Sequence, residues 1–538
     1  MTEPLIDIRG LEVDYRRDGR TSHALRGIDL TVSPGERVAI VGESGSGKST
    51  AALALVGLLP HVGHVVGGSA KVAGVELAGA SEKVARGIRG RVAGLVPQDP
   101  TVSLNPTQRI GHQVGEAVKL RGVPRPLVDA AVIEVLEQAG IEDPVARARQ
   151  YPHELSGGLR QRVLIAIALA GQPDVIVADE PTSALDVTVQ RRILDHLDRL
   201  VRERGIALVI ITHDLGVAAD RADRVVVMRE GKVVEHGPSL EVLAAPRTEY
   251  TRSLVAAAPG LTTPVPPPPT SGDTAVLVRW EDVTKDFALP AGGAHTTLRA
   301  VDGVTLEARA GRTLAIVGES GSGKTTLLRI ALGVEAPTSG RVVFDGVPIS
   351  TLSRRAARPL RRRFQLVQQN PFSSLDPRFA VGRSVAEPLV AFGIGNRTSR
   401  RARVAELLDL VGLPSDAATR RPDELSGGQR QRVAIARALA IEPELIYLDE
   451  PVSALDVSVQ DQVLRLLARL QTDLGVGYVL VSHDLGVVAQ VAHDVAVVRR
   501  GKVVEQGPAE RILAAPSHDY TKELLAAVPG RALRVAVA

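Results

Sequence analysis

The chain has 538 residues, which at roughly 100–200 residues per domain means two to four domains rather than one core. Hydrophobic residues make up 44% and aromatics only 2%, so the cores must be built from Val, Leu, Ile and Ala. A net charge of +4 over this length argues against a dedicated nucleic-acid binder. The absence of cysteine excludes disulfides, Cys-ligated zinc and any iron–sulfur cluster in this chain.

The N-terminus carries early acids and no apolar stretch of signal type. No apolar run approaches the ~18–20 residues needed to cross a bilayer. A soluble, intracellular protein is expected, free to dock onto membrane proteins. Leu5–Tyr15 reads as a strand of a small antiparallel sheet. Val38–Val41 is a short continuous apolar run, as expected of a strand buried on both faces. The segment GESGSGKS (Gly42–Ser49) follows it and fits the phosphate-loop pattern GxxxxGK[ST]. Gly42, Gly45 and Gly47 let backbone N–H groups converge on phosphate oxygens at a helix N-terminus. Lys48 is placed to reach the β- and γ-phosphates and Ser49 to ligate Mg²⁺, with Thr50 closing the motif.

Leu127–Ile141 has helical spacing and belongs to a helical insert. Asp174–Ala178 is a second buried strand and runs into Asp179 and Glu180. A carboxylate at the end of a buried strand, beside a phosphate loop, suits the water shell of a metal ion, which is the role expected of Asp179. Glu180 is placed to polarise an attacking water. The alternative is a solvated acid pair at a strand end. Ala207–Thr212 is a third strand and leads to His213.

All of this recurs. Val38–Thr50 returns as Leu314–Thr326, with Gly318, Gly321, Gly323, Lys324, Thr325 and Thr326 in register. Glu154–Val163 returns as Glu424–Val433, Asp179–Gln190 as Asp449–Gln460, and Thr212–Val217 as Ser482–Val487, which supplies Asp449, Glu450 and His483. Even Gly237–Leu254 matches Gly507–Leu524. Gly42 and Gly318 are 276 residues apart, Ser156 and Ser426 only 270. The first copy therefore holds about six extra residues between these motifs, expected near His61–Gly68. Each copy is a whole domain rather than a solenoid repeat. Pro259–Thr274 is proline-rich and reads as an exposed tether reaching on the order of 50 Å. The expected division is 1–258, a linker 259–274, and 275–538. The expected class is α/β: two tandem domains, each a phosphate-loop α/β core with an antiparallel β subdomain and a helical insert.

The segments LSGGL (Leu155–Leu159) and LSGGQ (Leu425–Gln429), the Asp-Glu-Pro and Ser-Ala-Leu-Asp runs and the isolated His-Asp pairs together resemble ATP-binding cassette (ABC) ATPases. The resemblance covers essentially the whole chain outside the linker. It implies two nucleotide-binding domains paired head to tail around two ATPs. One site would join Lys48, Ser49, Gln98, Asp179, Glu180 and His213 to Ser426, Gly427, Gly428 and Gln429. The other would join Lys324, Thr325, Gln369, Asp449, Glu450 and His483 to Ser156, Gly157, Gly158 and Leu159. Ser49, Gln98 and Asp179, and likewise Thr325, Gln369 and Asp449, would surround Mg²⁺. Glu180 and Glu450 would be catalytic, His213 and His483 would contact the γ-phosphate, and Asp186 and Asp456 would lie at the dimer seam. Tyr15 and Phe287 match an adenine-stacking aromatic, with edge-strand packing as the alternative. Leu159, where the second copy has Gln429, loses a polar contact but not the backbone donors. With both glutamates present, neither site is expected to be inactive.

QDPTVSLNP (Gln98–Pro106) and QNPFSSLDP (Gln369–Pro377) resemble the corresponding region of ATPases from dipeptide, oligopeptide and nickel importers. Tyr151–Val163 resembles the D-type subunit, and Arg421–Val433 with Asp449–Gln460 the F-type, here fused. This implies a Mg²⁺-dependent ATPase that powers peptide import from the cytoplasmic face of the cell membrane. The implied partners are two integral-membrane permease subunits and an extracytoplasmic solute-binding protein. Many such chains carry a cysteine cluster beyond the Tyr-Thr-x-x-Leu segment; none is present here. A nickel-chelate or sugar importer ATPase is the nearest alternative. A ribosome-acting translation factor normally has a long charged linker, and a DNA-repair ATPase zinc-binding cysteines. Arg354, Arg355, Arg358, Arg361, Arg362 and Arg363 form a basic cluster, read as a solvated face or as a contact for acidic lipid. Trp280 is expected to be a packing residue.

Overall fold

A computed structural model of the chain describes residues 3–17, 19–182, 185–258, 274–289, 296–349, 352–353, 355–370, 374–453 and 455–533. Of the proposed linker only Thr274 is among them, and Arg354 of the basic cluster is not. The chain divides into two compact units, Met1–Leu261 with Pro529–Ala538, and Thr262–Val528. The segment after Val528 thus groups with the first unit, where Asp220 accepts the N–H groups of Gly530 and Ala532 at 2.8 and 3.0 Å.

Each unit holds two sheets. In the first, a four-stranded antiparallel sheet runs in the order Arg20–Val32, Ile6–Arg17, Gly63–Val72, Val75–Glu76. A six-stranded sheet runs Lys232–Pro238, Arg224–Arg229, Arg37–Val41, Ala207–Ile211, Val175–Asp179, Ala93–Val96, parallel except for its first strand. The second unit repeats both orders, with Thr313–Val317 in the place of Arg37–Val41.

The continuous apolar runs have a direct cause. Val175, Val177, Val209 and Ile211 enter a core shared with the antiparallel sheet and with Ala51, Ala52 and Leu55 of the helix Lys48–Leu55. Their alternate neighbours Ile176, Ala178, Leu208 and Ile210 enter a second core. That core is built with Val114 and Val118 of the helix Ile110–Lys119, and Val132 and Leu136 of the helix Val128–Gln138. A strand that feeds a core on each face has no solvent side, so its sequence shows no polar alternation. Leu445 and Tyr447 against Ile446 and Leu448 divide the second unit's cores in the same way.

Four of the first copy's additional residues lengthen one strand: Gly63–Val72 has ten residues and its counterpart Ser339–Phe344 has six. Trp280 is fully buried and donates its indole N–H to the Leu327 carbonyl at 3.3 Å, a packing role. The basic cluster is partly absorbed. Arg363 pairs with Glu444 and Asp345 at 2.6 and 2.8 Å and lies over Phe344, and Arg358 lies over Phe392.

Each unit's last long helix is held by a carboxylate. Glu505 accepts the N–H and hydroxyl of Ser517, both at 2.7 Å, and the N–H of His518 at 3.1 Å, at the start of the helix Asp519–Ala527. Burial alone would raise its pKa, but the donors around it outweigh burial and hold it at about 2. A depressed carboxylate stabilises the fold above its ordinary pKa of 4.5, and that contribution is lost as pH falls through about 2. Glu505→Gln should therefore lower the urea midpoint at pH 7. The deficit relative to wild type should shrink steadily from about pH 4.5 downward; a deficit independent of pH would contradict this account.

Candidate functional site

In each unit the phosphate loop joins a buried central strand to a helix. Gly42 has φ +150, and a Cβ there would lie 2.2 Å from the Met228 carbonyl oxygen; at Gly318 the value is 2.1 Å from that of Val498. Only glycine lets the loop pass this close to the neighbouring strand. Lys48 is buried, and its Nζ donates to the carbonyls of Gly42 and Glu43 at 2.7 and 2.8 Å. Lys324 does the same with Gly318 and Glu319, both at 2.8 Å. The loop is thus folded around its own ammonium group.

The acid pair lies beside it. Ser49 Oγ donates to Asp179 Oδ1 at 3.3 Å. Burial raises the pKa of Asp179, and the adjacent charge of Glu180 raises it further; burial and Glu450 do the same to Asp449. A hydroxyl next to a carboxylate that lacks enough positive charge fits Mg²⁺, a hard cation that binds through one or two carboxylates plus phosphate oxygens.

The glutamates are held on both oxygens. Gln98 Nε2 donates to Glu180 Oε2 at 2.8 Å, and His213 Nδ1 lies 3.2 Å from Oε1. In the second unit the distances are 2.7 Å from Gln369 Nε2 to Glu450 and 3.0 Å from His483 Nδ1. Gln98 and Gln369 thus reach the glutamates. Glu180 and Glu450 both have φ +45, an uncommon left-handed backbone for a non-glycine residue. Their N–H groups bond the Ile211 and Val481 carbonyls at 2.9 and 3.0 Å, which turns the chain at the strand end. Burial would raise both carboxylates, yet the histidine bonds and the lysine charge keep them below their ordinary value and so ionised. Burial would lower His483, and Glu450 more than offsets this, so the imidazole is raised.

The signature residues begin separate helices. Ser156 caps Gly157–Ala170 and Ser426 caps Gly427–Leu439. Gly158 and Gly428 pack against Val189 and Val459, where a Cβ would lie 2.7 and 2.3 Å from a methyl. The difference between Leu159 and Gln429 has a local consequence. Gln429 donates its N–H to Ser426 Oγ at 3.3 Å and accepts the Ser426 N–H on its side chain at 3.0 Å, a reciprocal cap. Leu159 makes only the first of these bonds, at 3.4 Å, and its side chain packs on the core instead. Gln429→Leu should cost about 0.5–1.5 kcal/mol of the second unit's stability, read from its denaturant midpoint. Asp186 accepts the Val189 N–H at 3.0 Å, and Asp456 occupies the same position before the equivalent helix Val457–Leu474.

Tyr15 bonds Thr50 at 3.2 Å, directly after the phosphate loop. It pairs with Ser22 on one side and Gly63 on the other, so its strand is not an edge. Phe287 pairs with Leu298 and carries the Lys285 ammonium 4.9 Å from its ring centre. Two residues given no role from the sequence also touch the site. Tyr250 and Tyr520 accept, on their phenol oxygens, the N–H groups of Glu43 and Glu319 in the phosphate loops, at 3.2 and 3.1 Å. Their recurrence in the matched terminal segments was the only signal available.

The family model described as ABC transporter matches residues 25–183 and 301–453. The oligopeptide/dipeptide transporter C-terminal region matches 504–532. The chain is 43% identical to "Oligopeptide transport ATP-binding protein OppD" of Mycobacterium tuberculosis, over 98% of each chain. It is 44% identical to "Peptidoglycan transport ATP-binding protein YejF" of Agrobacterium fabrum, over 98% of this chain and 96% of that one. It is 41% identical to "Glutathione import ATP-binding protein GsiA" of Salmonella typhimurium, over 98% and 89%. Both copies, in their fused order, therefore have counterparts within single chains, and the protein belongs to the ABC transporter family of ATP-binding proteins.

Proposed function

We propose that this chain is the ATP-hydrolysing subunit of a peptide importer, acting at the cytoplasmic face of the membrane on a pair of permease subunits supplied by an extracytoplasmic solute-binding protein. The observation that carries the hydrolytic part is the ionised glutamate held between a glutamine and a histidine beside a phosphate loop, present in both units. The peptide class is supported by the match to the oligopeptide/dipeptide transporter C-terminal region and by the relatives. Among the described residues no helix is long and apolar enough to cross a membrane; the permease partners are supported by the relatives, which are transport and import ATP-binding proteins.

In this reading Lys48 and Lys324 leave their loop carbonyls for the phosphates of ATP, and loop N–H groups cradle the same oxygens. Ser49 with Asp179, and Thr325 with Asp449, would hold Mg²⁺, which would neutralise phosphate charge. Glu180 and Glu450 orient the attacking water and take up its proton. His213 and His483 fix the carboxylate and lie next to the γ-phosphate position. The signature residues Ser156 to Leu159 and Ser426 to Gln429 offer helix N-terminal donors to nucleotide.

The test is reconstitution of the chain with its permease pair and binding protein in vesicles, with ATP on the cytoplasmic side and labelled tri- and pentapeptides outside. Uptake that requires ATP and intact Glu180 and Glu450 is expected. A chain that sediments with ribosomes and never with permeases would favour the translation-factor reading instead.

A further inference from the structure

Tyr250 lies on the helix Glu249–Ala257 and Tyr520 on Asp519–Ala527, both buried at the edge of the phosphate loops. Each phenol oxygen accepts the N–H of the loop's second residue, Glu43 or Glu319. The carbonyl of that same residue is the hub of the loop. It accepts the N–H of Ser46 at 3.2 Å and Lys48 Nζ at 2.8 Å, and in the second unit Ser322 at 3.2 Å and Lys324 at 2.8 Å. The ring is itself clamped. Arg229 and Arg499 stack on the two tyrosines at 4.9 and 4.5 Å, one residue beyond the Met228 and Val498 carbonyls that crowd Gly42 and Gly318. The helix start is tied to the preceding strand: Glu235 accepts the N–H groups of Arg247 and Thr248, at 2.8 and 3.1 Å, as Glu505 does those of Ser517 and His518.

We propose that Tyr250 and Tyr520 are positioning residues for the phosphate loops, each fixing its loop's second residue, and with it the turn and the resting place of the lysine, before nucleotide arrives. The proposal rests on the reading that these loops bind ATP. A loop pinned in its binding shape loses less conformational freedom when ATP binds, so the tyrosine acts on affinity rather than on the chemical step.

Tyr250→Phe and Tyr520→Phe keep the ring and its arginine stack and remove the phenol hydroxyl that accepts the loop N–H. In the full-length chain, each single variant should raise the KM for ATP about 3- to 10-fold at its own site, with kcat within about twofold of wild type. Hydrogen exchange without nucleotide should quicken in the peptide spanning residues 42–48 for Tyr250→Phe and 318–324 for Tyr520→Phe. A purely structural role would instead reduce the active fraction, lowering kcat and leaving KM unchanged. Unchanged KM, or unchanged exchange in the loop peptides, would overturn the proposal. Failure of the wild-type chain to bind ATP would overturn the reading under Proposed function instead, so the two failures are distinguishable.

Discussion

Glu180→Gln combined with Glu450→Gln is expected to reduce ATP turnover by about 10²- to 10⁴-fold, the range contributed by a positioned general base, while ATP stays bound. Glutamine has the same shape and still meets Gln98 and His213, so the strand-end turn at φ +45 is retained. What is lost is the negative charge that, in the proposed mechanism, takes a proton from water. Binding is preserved because the change removes a like charge next to Asp179 and Asp449, relieving the repulsion that raises their pKa values. Phosphate release and filter-bound nucleotide, measured on the same preparation, separate the two effects. Turnover within tenfold of wild type would remove the glutamates from the mechanism.

The second large effect is expected at Gly42 and Gly318. Alanine there would bring a Cβ to 2.2 and 2.1 Å from a backbone carbonyl oxygen of the adjacent strand. Backbone yields less than a side chain, so the loop must move, at a cost of about 1–3 kcal/mol or more. Nucleotide binding at that copy should be lost with it. Gly45→Ala is the internal control. A Cβ there meets nothing within 4 Å, and only the left-handed backbone at φ +77 opposes it, a cost of roughly 1–2 kcal/mol. Equal losses of binding in Gly42→Ala and Gly45→Ala would show that crowding against Met228 is not what limits the loop.

The tandem architecture and the candidate site residues were legible in the sequence because each lies in a contiguous run. Gly42 to Thr50, Asp179 with Glu180, and His213 can be read one after another, and their recurrence 270 to 276 residues later fixes the register. The buried strands were legible for a related reason, since residues such as Val175 and Ile176 serve opposite cores and all are apolar. Contacts between distant segments were not. Nothing local to Gln98 announces that its amide reaches Glu180, 82 positions away. Tyr250 is 207 positions from Glu43. The edge-strand alternative for Tyr15 failed because pairing to Gly63 depends on the strand lengthened by the first copy's additional residues. The start of the helix Arg397–Leu410 was not legible either: the Asn396 side chain accepts the N–H groups of Thr398 and Ser399, both at 3.0 Å, and so begins the helix in an arginine-rich stretch without apolar spacing.

In the proposed mechanism each unit carries a complete phosphate cradle of its own. Calorimetric titration of the full-length chain with Mg²⁺ and a non-hydrolysable ATP analogue tests it most directly. Two equivalents per chain are predicted for wild type, one for Lys48→Ala or Lys324→Ala alone, and none for the double variant. A single equivalent in wild type, or two in either lysine variant, would contradict the account.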